Sequence, residues 1–559
     1  MPKRFLIMLI IIRTVASAEL SGVIRNAENN HPIDNANLDL LYSAFGTASG
    51  KNGMYKISGL PSGEYTLRAS SMGFASKDII VHVHKEQISL DIYLHPQTIH
   101  INREIIVTAT RHVESSFSQP YAIVSLNSKE LNRRLPRSTP EALMETTGVW
   151  MQKTNHGGGS PFIRGLVGNQ VLILVDGIRL NNATFRYGPN QYLNTIDSWH
   201  LDRIEVLKGA GSVTHGSDAL GGVINIITKS PQFASNGWQI NSRLVAKIMS
   251  HDMEHSGRAE ISLSSPRMAM LGGFSLKNFG DIKAGGHLGF EVPSSYNEKN
   301  SDWKAKVRLS WRSHLTLAFQ NVQQNEVTRF DQVAQRGYVR HSFDPQIRTL
   351  GYGRWTFFSH NPWLRSLNLT ASWHRSVEQR EKQKKNSETQ TTERDEVNTR
   401  GLSLDIESEI LSNWKALSGL DFYHDHIGSW TKEKNSIDKT VFLKRGLYAD
   451  GATTTSMALF SQHRYDSKKL SLIFGGRLSV YRLSIDDNTF GHVRTTPKSA
   501  VGNTGVIYPL SPRNNMFLIV SQAFRAPNIN DISSLGDFDY GIEVPATDLS
   551  AEKSVHIET

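Results

Sequence analysis

The chain has 559 residues, with 62 Lys and Arg against 52 Asp and Glu for a formal charge of +10, and it contains no cysteine. That length exceeds one ordinary core and predicts several domains, while the missing thiols exclude disulfide staples and cysteine chemistry. The basic residues are dispersed and accompanied by no recognition motif, which argues against nucleic acid and for cations lining a polar interior or reaching an interface, with an anionic substrate as the alternative.

The N-terminus reads as a signal peptide over 1–18: Lys3 and Arg4 precede an apolar run ending at Ile12 and the small-residue site Ala16-Ser17-Ala18. Export is expected. That run is too short to span a bilayer as a helix, and no later stretch approaches the roughly 18 apolar residues required, so any membrane crossing must use strands.

Residues 19–97 read as a small β-sandwich, with strands near Gly22-Val23-Ile24, Asn37-Leu38-Asp39-Leu40, Met54-Tyr55-Lys56-Ile57 and Gly63-Glu64-Tyr65-Thr66-Leu67, joined by turns at Gly50-Lys51-Asn52-Gly53 and Leu60-Pro61-Ser62-Gly63. The order Pro32-Ile33, Gly53-Met54-Tyr55, Gly59-Leu60-Pro61, Gly63-Glu64-Tyr65 resembles the carboxypeptidase regulatory-like domain. Nothing upstream could hold a peptidase, so the resemblance implies an accessory module.

Segment 98–112 is a linker containing Glu104, Ile105, Ile106, Val107, Thr108, Ala109 and Thr110, a β-prone run with no partner strand nearby in sequence. Such a run can add to another protein's sheet edge. It resembles the TonB box, whose partner is a TonB-type inner-membrane energy transducer.

From 113 to 230 the pattern turns to mixed α/β. Ser138-Thr139-Pro140-Glu141 starts a helix. Val171-Leu172-Ile173-Leu174-Val175 and Arg203-Ile204-Glu205-Val206-Leu207 are strands ended at Asp176-Gly177 and Gly209, and Gly221-Gly222 leads into a third. Alone, this is a compact domain with glycine-rich loops and no catalytic spacing. Phe162-Ile163-Arg164-Gly165, Leu174-Val175-Asp176-Gly177-Ile178-Arg179, the run Arg203 to Gly209, and the run Gly216 to Asn225 together look like the plug of TonB-dependent receptors. The resemblance implies that Arg164 and the residue at 208 contact acids on a surrounding wall and lock the plug. Arg164 matches, whereas Lys208 stands where the family has Arg and lacks its planar fork.

Residues 231–559 read as a partial transmembrane β-barrel. Trp303, Ala305, Val307, Leu309 and Trp311 alternate with Lys304, Lys306, Arg308, Ser310 and Arg312, and Trp303 to Trp311 spans roughly 26 Å, close to the apolar band of about 25 Å with aromatic rims. Leu367, Leu369, Ala371 and Trp373 repeat the pattern. A long charged external loop is expected over 379–395, and the tally is roughly thirteen strands plus a start, against about 22 for a plugged transporter. The fold class is therefore mostly β: a small N-terminal β-sandwich, an α/β plug domain and an incomplete antiparallel transmembrane β-barrel, with the chain read as a C-terminally incomplete receptor.

Candidate chemistry is sparse. His251-Asp252-Met253-Glu254-His255 has an inverted zinc-protease spacing but lies in a strand connection, where residues four apart are roughly 13 Å from each other; His424 and His426 share a strand face on a lumen or loop surface. No metal site, cofactor or enzymatic activity is expected. Two glycine-bearing plug segments look like apex loops that meet substrate in the family, making His156, Arg186, Tyr187 and Gln191 the contact candidates. Phe524-Arg525-Ala526-Pro527 resembles a loop motif of many receptors, including those for haem, but no His occurs between 528 and 549.

The resemblance implies an outer-membrane receptor that imports a scarce small chelate, foremost an iron complex of siderophore type, with outer-membrane lipid and the transducer as partners and no nucleic acid. Haem, cobalamin or another metal complex are alternatives, as are a receptor that signals through 19–97 and a non-functional truncated product. Glycan import is disfavoured because no Gly-Tyr-Gly segment follows Thr110.

Overall fold

The computed structural model describes residues 18–96 and 119–559, apart from 42, 44, 72–73, 85–86, 154, 189–191, 490, 512–513, 539–540 and 547, together with 105–106, 111 and 114–115 of the connecting segment. Short strands of alternating burial build the N-terminal unit. Ala18–Asn26 pairs with Met54–Leu60, Gln87–Ser89 and Ile92–Leu94; Asn37–Leu40 and Gly63–Ser70 form a second sheet with Gly46–Ala48 and Lys77–Val83. Leu20, Ile24, Leu38, Tyr55, Ile57 and Leu67 are buried between the two. Gly53 sits at φ 70°, and a Cβ there would lie 2.9 Å from Pro32 Cβ, so the turn accepts only glycine.

The plug is built on a mixed sheet with strand order Ala122–Leu126, Leu201–Lys208, Gly222–Thr228, Val171–Val175, Ile178–Arg179, in which Val171–Val175 runs parallel to Gly222–Thr228. All five residues from Val171 to Val175 are buried, the continuous apolar run of a strand covered on both faces. Each such aliphatic side chain contributes about 1.5–3 kcal/mol of burial.

A 17-stranded antiparallel sheet surrounds the plug, running from Gln239–Met249 to Glu552–Glu558. Val327–Thr328, Val441–Arg445 and Gly491–Thr495 are short side strands, leaving fourteen through strands, in line with the sequence tally. The two end strands are edges and do not pair with each other among the described residues. Burial is inverted relative to a soluble protein: Trp303 is 43% exposed while neighbouring Lys304 is 4% exposed. Leu317, Trp355, Leu402, Leu420 and Leu459 continue the outward apolar band, and Gln320, Arg348, His374, Asp421 and Arg477 face inward. This is the pattern of strands between lipid and a polar lumen.

Three expectations change. The charged stretch 379–395 is mostly strand: Ser366–Lys384 and Thr389–Leu411 continue through it and leave only 385–388 between them. Cross-strand pairs Arg375–Glu396, Arg380–Asp395 and Lys382–Glu393, each at 2.7–2.8 Å, hold the ladder together, so charge here supports pairing instead of solvating a loop. Strands of 19 to 23 residues exceed the roughly 9–11 needed to span and therefore project beyond the apolar band. His424 and His426 lie on the outward face with Leu420, not on a lumen surface; the alternate residues Asp421 and Asp425 are the buried ones. Finally, Ile105–Ile106 does have a local partner, pairing antiparallel with Glu114–Ser115.

Connections alternate in length. One rim has short turns at 311–312, 412–413 and 467–470, and the opposite rim carries long ones at 280–295, 436–452 and 526–551, although 250–253 and 385–388 on that rim are short. The sandwich meets the short-turn rim, where Tyr65 contacts Trp311 edge to face at 6.3 Å between centroids and the Arg308 guanidinium lies between Phe45 and Phe233.

Candidate functional site

Polar contacts between plug and wall form the candidate site, because the inverted barrel leaves charged side chains facing the plug. Arg164, at φ 52° in the turn after Ser160–Ile163, places Nη2 2.9 Å from Glu558 Oε2. Gly209 provides the room: a Cβ at its φ of 111° would collide with Glu558 Oε1. Lys208 donates instead to the Thr147 carbonyl at 3.3 Å and acts on Glu558 only through its field, as expected of a point charge without a fork.

Of the substrate-contact candidates, Tyr187 is 63% exposed. Gln191 lies outside the described residues, as do Glu104 and Val107 to Thr110 of the box. His156 is not offered to an open surface. It is 2% exposed, stacks edge to face on Phe279 and Tyr296 at 5.4 and 5.5 Å, and faces Arg137 Nη1 at 3.2 Å. Burial, then the Arg137 charge, drives its pKa down to about 3, leaving a neutral ring used for packing. Arg186 is also engaged: its Nη2 lies 2.9 Å from both carboxylate oxygens of Glu378, and its guanidinium lies 5.8 Å from the Tyr192 ring centroid. The polar ends of these two side chains point into protein, toward Arg137 of the plug and Glu378 of the wall, and an outer connection also reaches the plug. Asn528 Nδ2 donates to the Phe185 carbonyl at 2.8 Å and Ile529 N to Ala183 O at 2.9 Å.

Phe524-Arg525-Ala526-Pro527 has a local structural task. Arg525 pairs with Asp531 and Glu552 at 2.6 and 2.7 Å, and Asn528 forms a capping box with Asp531. His255, near the start of the strand Glu254–Ser264, contacts Asp252 of the exposed connection before it.

Several determinants escaped the sequence reading. Asp176, read as a turn residue within a plug motif, accepts from Thr228 N, Lys304 Nζ and Tyr352 OH at 2.9–3.1 Å. Burial opposes its charge, but Lys304 and Thr228 bring its pKa down to about 2. Asp197 is held by Lys277 at 2.7 Å, Ser275 at 2.6 Å and Arg258 at 3.3 Å; despite burial, the two cations keep its carboxyl well below the usual range. Arg111, just past the box, reaches Asp421 and Asp405 at 2.9 and 3.1 Å. Lys304 stands on the polar face of a strand read correctly, so its inward direction was legible even though its partner was not.

Residues 115–223 match the TonB-dependent Receptor Plug Domain, 281–559 the TonB dependent receptor-like beta-barrel, and 20–107 the CarboxypepD_reg-like domain. The chain is similar to the vitamin B12 transporter BtuB of Vibrio cholerae serotype O1, 24% identical over 450 residues, covering 78% of this chain and 65% of that protein. It is 31% identical over 245 residues to the protein of that name from Vibrio vulnificus, covering 40% of this chain and 37% of the relative. The chain thus spans less than two thirds of these curated relatives. Among solved structures, the copper transporter OprC aligns with TM-score 0.64 at 15% identity over 78% of this chain and 68% of its own, and the Serratia marcescens hemophore receptor HasR with 0.63 at 17% identity over 78% and 69%. At these identities the likeness concerns the fold.

Proposed function

Because the chain belongs to the TonB-dependent receptor family and carries a CarboxypepD_reg-like domain, we propose that it serves energy-coupled import of a scarce metal chelate through the outer membrane, with an iron complex as the leading cargo. The observation that supports this reading is the Arg111 tether to Asp405 and Asp421, which holds the chain just past the proposed box to the wall around a plug whose core packs against wall residues Ala318, Leu350 and Tyr352. A TonB-type transducer adds a strand to Glu104 through Thr110, and its pull is resisted by Arg111, by the Arg164–Glu558 pair and by Arg186–Glu378. No bond is made or broken, so the protein acts as a transporter and not an enzyme. Residues 1–18 direct export. Tyr187 and Gln191 are the remaining contacts for cargo.

Growth of a deletion strain on single iron and cofactor sources tests the reading. Loss of growth on one chelate identifies the cargo, and normal growth on every chelate would sink it. Cobalamin is the second reading, favoured by the relatives named as vitamin B12 transporters; cobalamin-limited medium separates the two.

A further inference from the structure

A cavity of about 320 Å³ lies between plug and wall on the side of the short connections. The plug contributes Asp176 and Thr228, and the wall contributes Lys304, Lys306, Arg354 and Asp405. Both lining carboxylates are already committed, Asp176 to Lys304 and Asp405 to Arg111, each at 3.1 Å. The lining Arg203 is matched by Asp202 and Glu205.

Two cations are left over. Among the described residues Lys306 forms no ion pair, and Arg354 donates only to neutral oxygens, Thr370 Oγ1 at 3.0 Å and the Asp176 carbonyl at 2.6 Å. Cations withdrawn from bulk water without counter-charge cost free energy that a bound anion recovers. Hydroxyls of Thr316 and Ser403 also line the chamber.

We propose that this chamber binds a small multivalent oxyanion, a polycarboxylate or a phosphate group, through Lys306 and Arg354, as a holding point on the exit side of the plug. Arg111 also lines the chamber. Drawing it away strands Asp405 there, lowers the chamber's net charge by one and weakens the hold on the anion, so the pull that moves the plug also releases the ligand. The release step rests on the import reading, whereas the binding step does not.

The full chain in detergent micelles at low ionic strength is titrated by calorimetry with citrate and, separately, inorganic phosphate, alongside Lys306→Gln, Arg354→Gln and the double variant. A single saturable site is expected, about tenfold weaker in each single variant, lost in the double and weakened by salt. Lys306→Gln removes no ion-pair partner, and an unfolding midpoint equal to the parent's establishes that its fold is intact. Binding of citrate assigns the site to carboxylates and binding of phosphate to phosphate groups; either supports the proposal. No saturable binding of either anion, or equal affinity in parent and variants, overturns it while leaving the separately measured cellular uptake to decide the import reading.

Discussion

Arg111 Nη1 and Nη2 each lie 2.9 Å from one oxygen of Asp421, a bidentate ion pair joining the connecting segment to the barrel wall. Arg477 reaches the same carboxylate at 2.8 Å, and the Phe460 ring lies 4.7 Å beneath the Arg111 guanidinium. Arg111→Ala leaves Asp421 satisfied by Arg477 but frees the segment that precedes position 111. Because the chain has no cysteine, a single cysteine replacing Thr108 reports on that segment cleanly. Its reaction with a maleimide should be at least about tenfold faster in Arg111→Ala, equivalent to about 1.4 kcal/mol. Arg111→Lys should fall between, keeping the charge without the fork. Equal rates in all three would remove Arg111 as the tether.

Asp197→Asn tests a buried, charged plug-to-wall contact. The amide keeps the shape and loses the charge that faces Lys277 and Arg258, although these cations retain Glu298 at 2.9 Å and Asp302 at 2.8 Å. With partial compensation, the cost belongs at the lower end for a broken buried pair, about 3 kcal/mol. The check is the denaturant midpoint for plug unfolding. An unchanged midpoint would mean that the remaining partners carry the full load.

The contrast between Asp197 and Arg164 shows what sequence could reveal. Arg164 sits in an ordered set of plug motifs, so its place and charge were readable from local residues, and the strand beginning at Trp303 declared its two faces by period alone. Asp197 and Arg111 carry no local signal, and Asp176, although it stands inside a plug motif, shows no local sign of its partners, because in each case these lie far along the chain, 310 residues away for Arg111 and Asp421. A pairing of that separation is decided by closure of the wall around the plug. The charged stretch 379–395 misled for a related reason: Arg380 and Lys382 look like solvated loop until the opposing strand supplies Asp395 and Glu393 as counter-charges.

Position 156 gives a pH test. Its folded pKa, about 3, lies below the ordinary value of about 6.5, so the unfolded chain takes up the proton first as pH falls. The stabilising contribution is complete above about pH 6.5 and is lost progressively between there and about pH 3. His156→Phe retains ring packing on Phe279 and Tyr296 and cannot titrate. Across that window its unfolding free energy should depend on pH less steeply than the parent's, by up to about one proton. Identical slopes would show that the native site admits the proton freely.

The last prediction concerns how the sandwich is seated. Trp311, in the turn between Tyr296–Ser310 and Ser313–Asn325, packs against the sandwich core through Tyr65 at a 74° interplanar angle. Arg308 adds a second fastening, with its guanidinium 5.0 Å from the Phe45 centroid and 4.6 Å from that of Phe233. An edge-to-face pair contributes about 0.5–1.5 kcal/mol beyond its buried area, so Trp311→Ala should loosen docking by roughly 1–2 kcal/mol without unfolding the sandwich, whose core is built from its own two sheets and meets Trp311 only at its margin. Proteolysis of the connecting segment 97–118 should then accelerate about tenfold, while Trp311→Phe, which keeps an aromatic edge for Tyr65, should stay nearer the parent. Cleavage at the parental rate in Trp311→Ala would show that Arg308 between its two rings is enough to hold the domain against the rim.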